Sequence, residues 1–132
     1  IMSTLKVNTI QNTSAAHSST PEQIEQGRAK VWVCFNGNNT VGILDSFNTS
    51  SVTDVGTGLY TVNFSITFAN KNYCSSMTAS NTGANFGAYA TDMGDSASAP
   101  NNRATGSVHM FTGAFNQLQD PAFVSVAIHG DV

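Results

Sequence analysis

The sequence predicts an all-β fold, an antiparallel β-sandwich or barrel-like domain, and three observations predict it. Apolar residues recur with a period of two in seven to nine short runs. Clusters of Gly, Asn, Asp and Ser separate those runs at intervals of roughly 8 to 12 residues. A helical period of 3.6 is sustained nowhere over three turns. A length of 132 residues suits one such domain. At 40% hydrophobic residues the chain has enough apolar material to fold, yet only 10% of it is charged, well under the usual ~25%. Ser, Thr and Asn make up a third of the residues, so the expected surface is neutral and rich in hydroxyls and amides.

In chain order, Leu5, Val7 and Ile10 form a short strand pattern followed by the polar tract 11–19, which cannot bury a core by itself. Thr20-Pro21-Glu22-Gln23 combines a capping hydroxyl, Pro at the first helical position and Gln three residues after the cap, and Gly27 is placed to end the turn, predicting one short helix at 21–26. From Arg28 the period changes to two. Val31, Val33 and Phe35 alternate with Trp32 and Cys34, a strand apolar on both faces that expects cover on both. The turn cluster Asn36-Gly37-Asn38-Asn39 leads to a second strand at 40–47, and Gly56-Thr57-Gly58 joins two extended runs into a hairpin over 51–64, with Tyr60, Val62 and Phe64 on one face. Further strands are expected at 72–79, 86–90, 107–112 and 123–129, and the longest aperiodic stretch, 91–105, is the expected functional loop. Two units result: an N-terminal segment, 1–27, and a β domain, 28–132. Ile1-Met2 reads as a cut from a longer chain.

Several function classes are excluded or weakened. A net charge of −3 with five basic residues leaves no footprint for phosphate, so nucleic-acid binding is not expected, and no run has the ~18 apolar residues that span a bilayer, so membrane insertion is not expected. Cys34 and Cys74 stand forty residues apart without a CxxC partner, which excludes a zinc knuckle or a thioredoxin-type pair; they read as unbridged strand cysteines, with one disulfide as the alternative. His17, His109 and His129 show no metal-ligand spacing, although separate strands could unite the last two. Glycoside hydrolysis needs two carboxylates ~5 to 9.5 Å apart. Asp92 and Asp95 are the one dense acidic group, and in a Gly/Ser loop they read first as turn formers. No GxSxG nucleophile motif occurs, and no cofactor is expected. What remains is recognition of a ligand by a neutral surface. Phe86, Tyr89, Asn101, Asn102 and Arg103 have a binding-loop composition, with Phe86 and Tyr89 equally readable as core. Trp32, mid-strand, reads as core or interface.

The blocks Leu5-Lys6-Val7-Asn8-Thr9-Ile10-Gln11-Asn12-Thr13, Thr20-Pro21-Glu22-Gln23-Ile24 and Gly27 to Gly37, then 45–54, 56–64 and the closing Val124-Ser125-Val126-Ala127-Ile128, occur in an order that resembles the distal parts of tailed-bacteriophage tail fibres. The resemblance covers most of 5–64 and the last strand; between 75 and 120 only the general β texture is shared. It implies a homotrimer at the tip of a virion fibre, joined to an upstream fibre shaft and assembled in the host cytoplasm. Such a tip attaches to a host cell-surface receptor, a glycan or an outer-membrane protein, without catalysis. On that reading 1–27 is a trimerising stalk and the receptor-binding residues are Phe86, Tyr89, Asp92, Asp95, Asn101, Asn102 and Arg103. The alternatives are a tailspike-like polysaccharide depolymerase acting through Asp92 and Asp95, and a purely structural fibre trimerisation domain.

Overall fold

A computed structural model describes residues 2–80, 88–95 and 101–132. The strands are β1 (Ile10–Gln11), β2 (Ser18–Ser19), β3 (Val31–Asn36), β4 (Gly42–Phe47), β5 (Thr49–Gly56), β6 (Leu59–Phe64), β7 (Cys74–Ala79), β8 (Ala88–Asp92), β9 (Arg103–Ala104), β10 (Ser107–Ala114), β11 (Gln117–Leu118) and β12 (Val124–His129), with one helix, α1 (Pro21–Gly27). The fold is mostly β with antiparallel pairing throughout, as the periodicity predicts. Its sheets do not close into a barrel.

One sheet has the order β4-β3-β12-β7. In the other, β10 is central, with β6 and then β5 on one side, β8 and β9 on the other, and the two-residue β11 folded back beside its end. The two sheets face each other across one core. Val31, Val33 and Phe35 of β3 and Val124, Val126 and Ile128 of β12 meet Tyr60, Val62 and Phe64 of β6 and Val108 and Met110 of β10, all buried. These are the alternating apolar positions of the sequence, because side chains two apart share a sheet face. Trp32 and Cys34 point the other way, and both are only half-buried on the outer face.

α1 starts where the sequence places it. The Thr20 hydroxyl accepts from the Gln23 N–H at 3.1 Å while Gln23 Oε1 accepts from the Thr20 N–H at 2.9 Å, a complete capping box. Its end differs slightly: Gly27 is still helical and the cap falls on Arg28 in extended backbone. No residue of α1 is buried. The hairpin of 10–19 and the helix precede the sheets without contributing to the core.

Tyr60 closes the core at the end far from α1. Its ring meets Phe35 edge-on at 5.1 Å, and the single proton of its hydroxyl is shared between Asp120 Oδ1 at 2.8 Å and the Gly37 carbonyl at 3.1 Å. Burial, with the Asp120 carboxylate beside it, raises the phenol well above its ordinary pKa. Gly37 must lack a side chain, since a Cβ there would lie 2.5 Å from the Tyr60 hydroxyl.

Cys34 pairs laterally with Ser125, and Cys74 with His129. The thiols are thus two strands apart, on either side of β12, and four residues displaced along it. At ~4.8 Å per strand and ~3.3 Å per residue the separation is roughly 16 Å, beyond the ~7 Å Cα limit of a disulfide. Reductant is therefore expected to leave the thermal midpoint unchanged, which a melt with and without it measures. Tyr60→Ala is expected to destabilise by ~3 to 5 kcal/mol through its cavity, and Tyr60→Phe by ~1 to 3 kcal/mol, because the phenol hydrogen bonds are lost while Asp120 and Gly37 stay in place. Urea denaturation of the two variants separates ring from hydroxyl.

Candidate functional site

Three of the sequence-predicted residues meet, in a seam between the two sheets. β7 ends one sheet and β8 flanks the other, and their facing sides are joined by polar groups. Asp92 and Arg103 both lie on the inward face of their strands, opposite Met110 and Val108 of β10. The Ser75 hydroxyl of β7 donates to Asp92 Oδ2, and Arg103 Nη1 reaches the same oxygen at 3.2 Å. Arg103 Nη2 donates to the Tyr73 carbonyl, and the guanidinium lies 4.4 Å from the centre of the Tyr73 ring, a cation–π contact. Among the described residues, Arg103 Nε is buried without a partner.

Asp95 completes the seam. Its Oδ1 accepts from the Arg103 backbone N–H at 2.8 Å, and its Oδ2 pairs with Lys71 Nζ at 3.0 Å. The Arg103 N–H and the Lys71 ammonium hold the Asp95 carboxyl below its ordinary value. A proton donor for glycoside cleavage needs the opposite shift. Asp92 also accepts from the Gly94 N–H at 3.0 Å, with Gly94 at φ 58°, so the turn-forming reading of this carboxylate is realised together with its salt bridge.

The other predicted residues are separate from this seam. Tyr89 stands on the outer face of β8 with its ring above Gly113 and edge-on to Phe111 at 5.9 Å; it is half-buried and not in the core. The Asn102 carbonyl accepts from the His109 N–H at 2.7 Å. Asn101 is exposed. Phe86 lies outside the described residues. His109 and His129 are in different sheets, on β10 and β12, and among the described residues no three His, Cys, Asp or Glu side chains gather as metal ligands.

Sequence reasoning missed Phe111, whose period-two position in 107–112 marks a strand but not which face meets a neighbour. It also missed the structural employment of Arg103: in a polar loop a basic residue reads as a surface contact, and only the folded chain brings Tyr73 beneath it. Comparison of the chain with protein-family models, with curated proteins and with solved structures returns no match.

Arg103→Ala is expected to destabilise by ~1 to 3 kcal/mol, since it leaves Asp92 and the Tyr73 carbonyl short of a donor in a partly buried seam. Arg103→Lys should recover only part of this, because one ammonium cannot serve both acceptors and the ring; chemical denaturation measures both. For Asp95 the folded pKa lies below the unfolded one. Its contribution is therefore present above the ordinary carboxylate range and lost as pH falls through the depressed folded value. Asp95→Asn should flatten the acid limb of a stability–pH curve without changing its neutral limb's slope.

Proposed function

We propose that this chain is the distal tip of a tailed-bacteriophage tail fibre, a homotrimer that binds a host cell-surface receptor without catalysis. One observation carries the reading alongside the ordered sequence blocks. The N-terminal segment that would form the stalk keeps its apolar side chains in solvent: Leu5 is 83% exposed, Ile10 54% and Ile24 45%. With Val7 and Pro21 they line a single groove. A hydrophobic stripe with no cover of its own is the pattern expected when cover comes from other copies.

The outer face of the β4-β3-β12-β7 sheet offers a second such surface. Trp32 sits opposite Phe47, which is 44% exposed, and beside them Ala127, Ser76, Ser125 and Thr78 leave a shallow hollow. Large rings next to small side chains on one face suit the knob and hollow of a head-to-tail ring. Receptor recognition falls to a surface with little free charge, which favours hydrogen-bonding and apolar ligands over phosphate or polyanions. The lowered Asp95 supports a binding role over a depolymerase, as does the engagement of Asp92 by Arg103 and Ser75.

Light scattering is expected to give about three times 13.9 kDa, unchanged in high salt because the contact is apolar. Leu5→Ser with Ile24→Ser should shift the mass toward one chain. A clean monomer of the parent at micromolar concentration overturns the trimer, and failure to attach to any of a panel of bacterial cells overturns the receptor-binding role.

A further inference from the structure

The two ends of the sheet pair differ in chemistry. The chain enters beside α1, where the Gln26 side chain donates to Asp131 Oδ1 at 2.7 Å and the Lys30 N–H to the Ile128 carbonyl at 2.8 Å. β3 runs away from that end and β12 returns to it. Among the described residues, the far end is therefore built from the turn 37–41, the turn 56–58, the turn between β10 and β11, and the segment 119–123. The basic residues Lys6, Arg28, Lys30, Lys71 and Arg103 all belong to the N-terminal segment or the entry half. The two acids of the far end are turned to its own backbone, Asp54 to the Gly56 N–H and Asp120 to the Gly58 N–H and the Tyr60 hydroxyl. Asp54 is nonetheless exposed, so among the described residues the charge this end offers solvent is acidic, with no basic side chain beside it.

One residue there stands in an unfavourable conformation. Ala114 pairs with Gln117, so Phe115 and Asn116 alone make the turn, at φ 49° and 64°. Both are left-handed, the geometry that favours Asn and Gly. Asn116 fits this; for a bulky residue such as Phe it is an outlier. The fold uses glycine at Gly58 and Gly94 for the same backbone region. Phe115 stands outside the cluster of buried core residues and is 64% exposed. Strain that packing does not compensate is a mark of residues held for contact. At the same end Phe123 is 57% and Val55 57% exposed, and Asn38, Asn39, Asn116 and Gln117 expose carboxamides.

Resting on the receptor-binding reading above, we infer that this far end is the receptor site itself, that its ligand is a neutral glycan, and that Phe115 is the ring on which a sugar stacks. Aromatic faces accept the C–H face of a pyranose, and carboxamides both donate to and accept from its hydroxyls. The absence of basic side chains among the described residues of this end disfavours acidic polysaccharides.

The test is binding of the whole chain to an array of purified bacterial surface polysaccharides, neutral and acidic, alongside attachment to the corresponding cells. The parent is expected to bind neutral members. Phe115→Gly should bind at least tenfold more weakly, keep the parent's mass and melt at the same temperature or higher, because the turn is relieved. Phe115→Trp should retain binding. Equal binding by Phe115→Gly, or binding confined to acidic members, overturns the inference. So does attachment to cells without binding to any polysaccharide, which leaves the receptor-binding reading standing; absence of attachment to every cell removes that reading and this site with it.

Discussion

The Tyr60 phenol is the point where the two sheets and four chain segments are held in one arrangement. Its ring fills the space against Phe35, and its hydroxyl engages Asp120 and Gly37. Asp120 in turn accepts from the Gly58 N–H at 2.6 Å, and the Gly37 N–H donates to the Pro121 carbonyl at 2.9 Å. A buried hydroxyl and a carboxylate beside it are costly unless every lone pair and proton has a partner. That requirement fixes the β3–β4 turn, the β5–β6 turn and the segment before β12 relative to one another. The Asp120 carboxylate is thereby engaged by the Gly58 N–H and the Tyr60 hydroxyl.

Charge elsewhere is used with similar economy. Glu25 serves both Arg28 and the buried Lys30 at the junction of helix and sheet. Lys71 and Arg103 take Asp95 and Asp92 at the seam between β7 and β8. These pairs seal places where sheet edges or chain entry expose the core, and Arg103 lies over Tyr73, which itself packs against Phe68 and Phe64. An isolated surface ion pair adds little; a guanidinium that also caps a buried ring and satisfies a carbonyl does more.

Much of this architecture was legible in the residues. Period-two alternation located β3, β6, β10 and β12 and put Tyr60, Val62 and Phe64 on one face, because a half-buried sheet leaves that signature directly in sequence; the inner face of β3 was not legible, since both of its faces are apolar. The capping box placed α1, since all of its hydrogen bonds close within four residues. Gly56-Thr57-Gly58 marked its hairpin for the same local reason. The two-residue β11 was not legible, being too short for any period, and the turn before it carries Phe where the backbone favours glycine. The site was read less well. The aperiodic, polar stretch 91–105 read as a functional loop with Asp92 and Arg103 among its contact residues, yet both turn inward, and whether a polar side chain is in solvent or in a seam depends on strands far away in the chain.

By itself, then, the sequence determined what is local: an all-β chain, a short capped helix, a neutral surface and a stripe of apolar residues ahead of the sheets, each governed by interactions among residues a few positions apart. Only the tertiary structure decided what is not. It set Tyr60 against Asp120, sixty residues away in the chain, and separated Cys34 from Cys74 across β12. It took Arg103 from the surface to the edge of the core, and left Phe115 in solvent at the end opposite the helix. The physical reason is that sheet pairing joins segments distant in sequence, and which polar groups and rings meet depends on that pairing rather than on any run of neighbours.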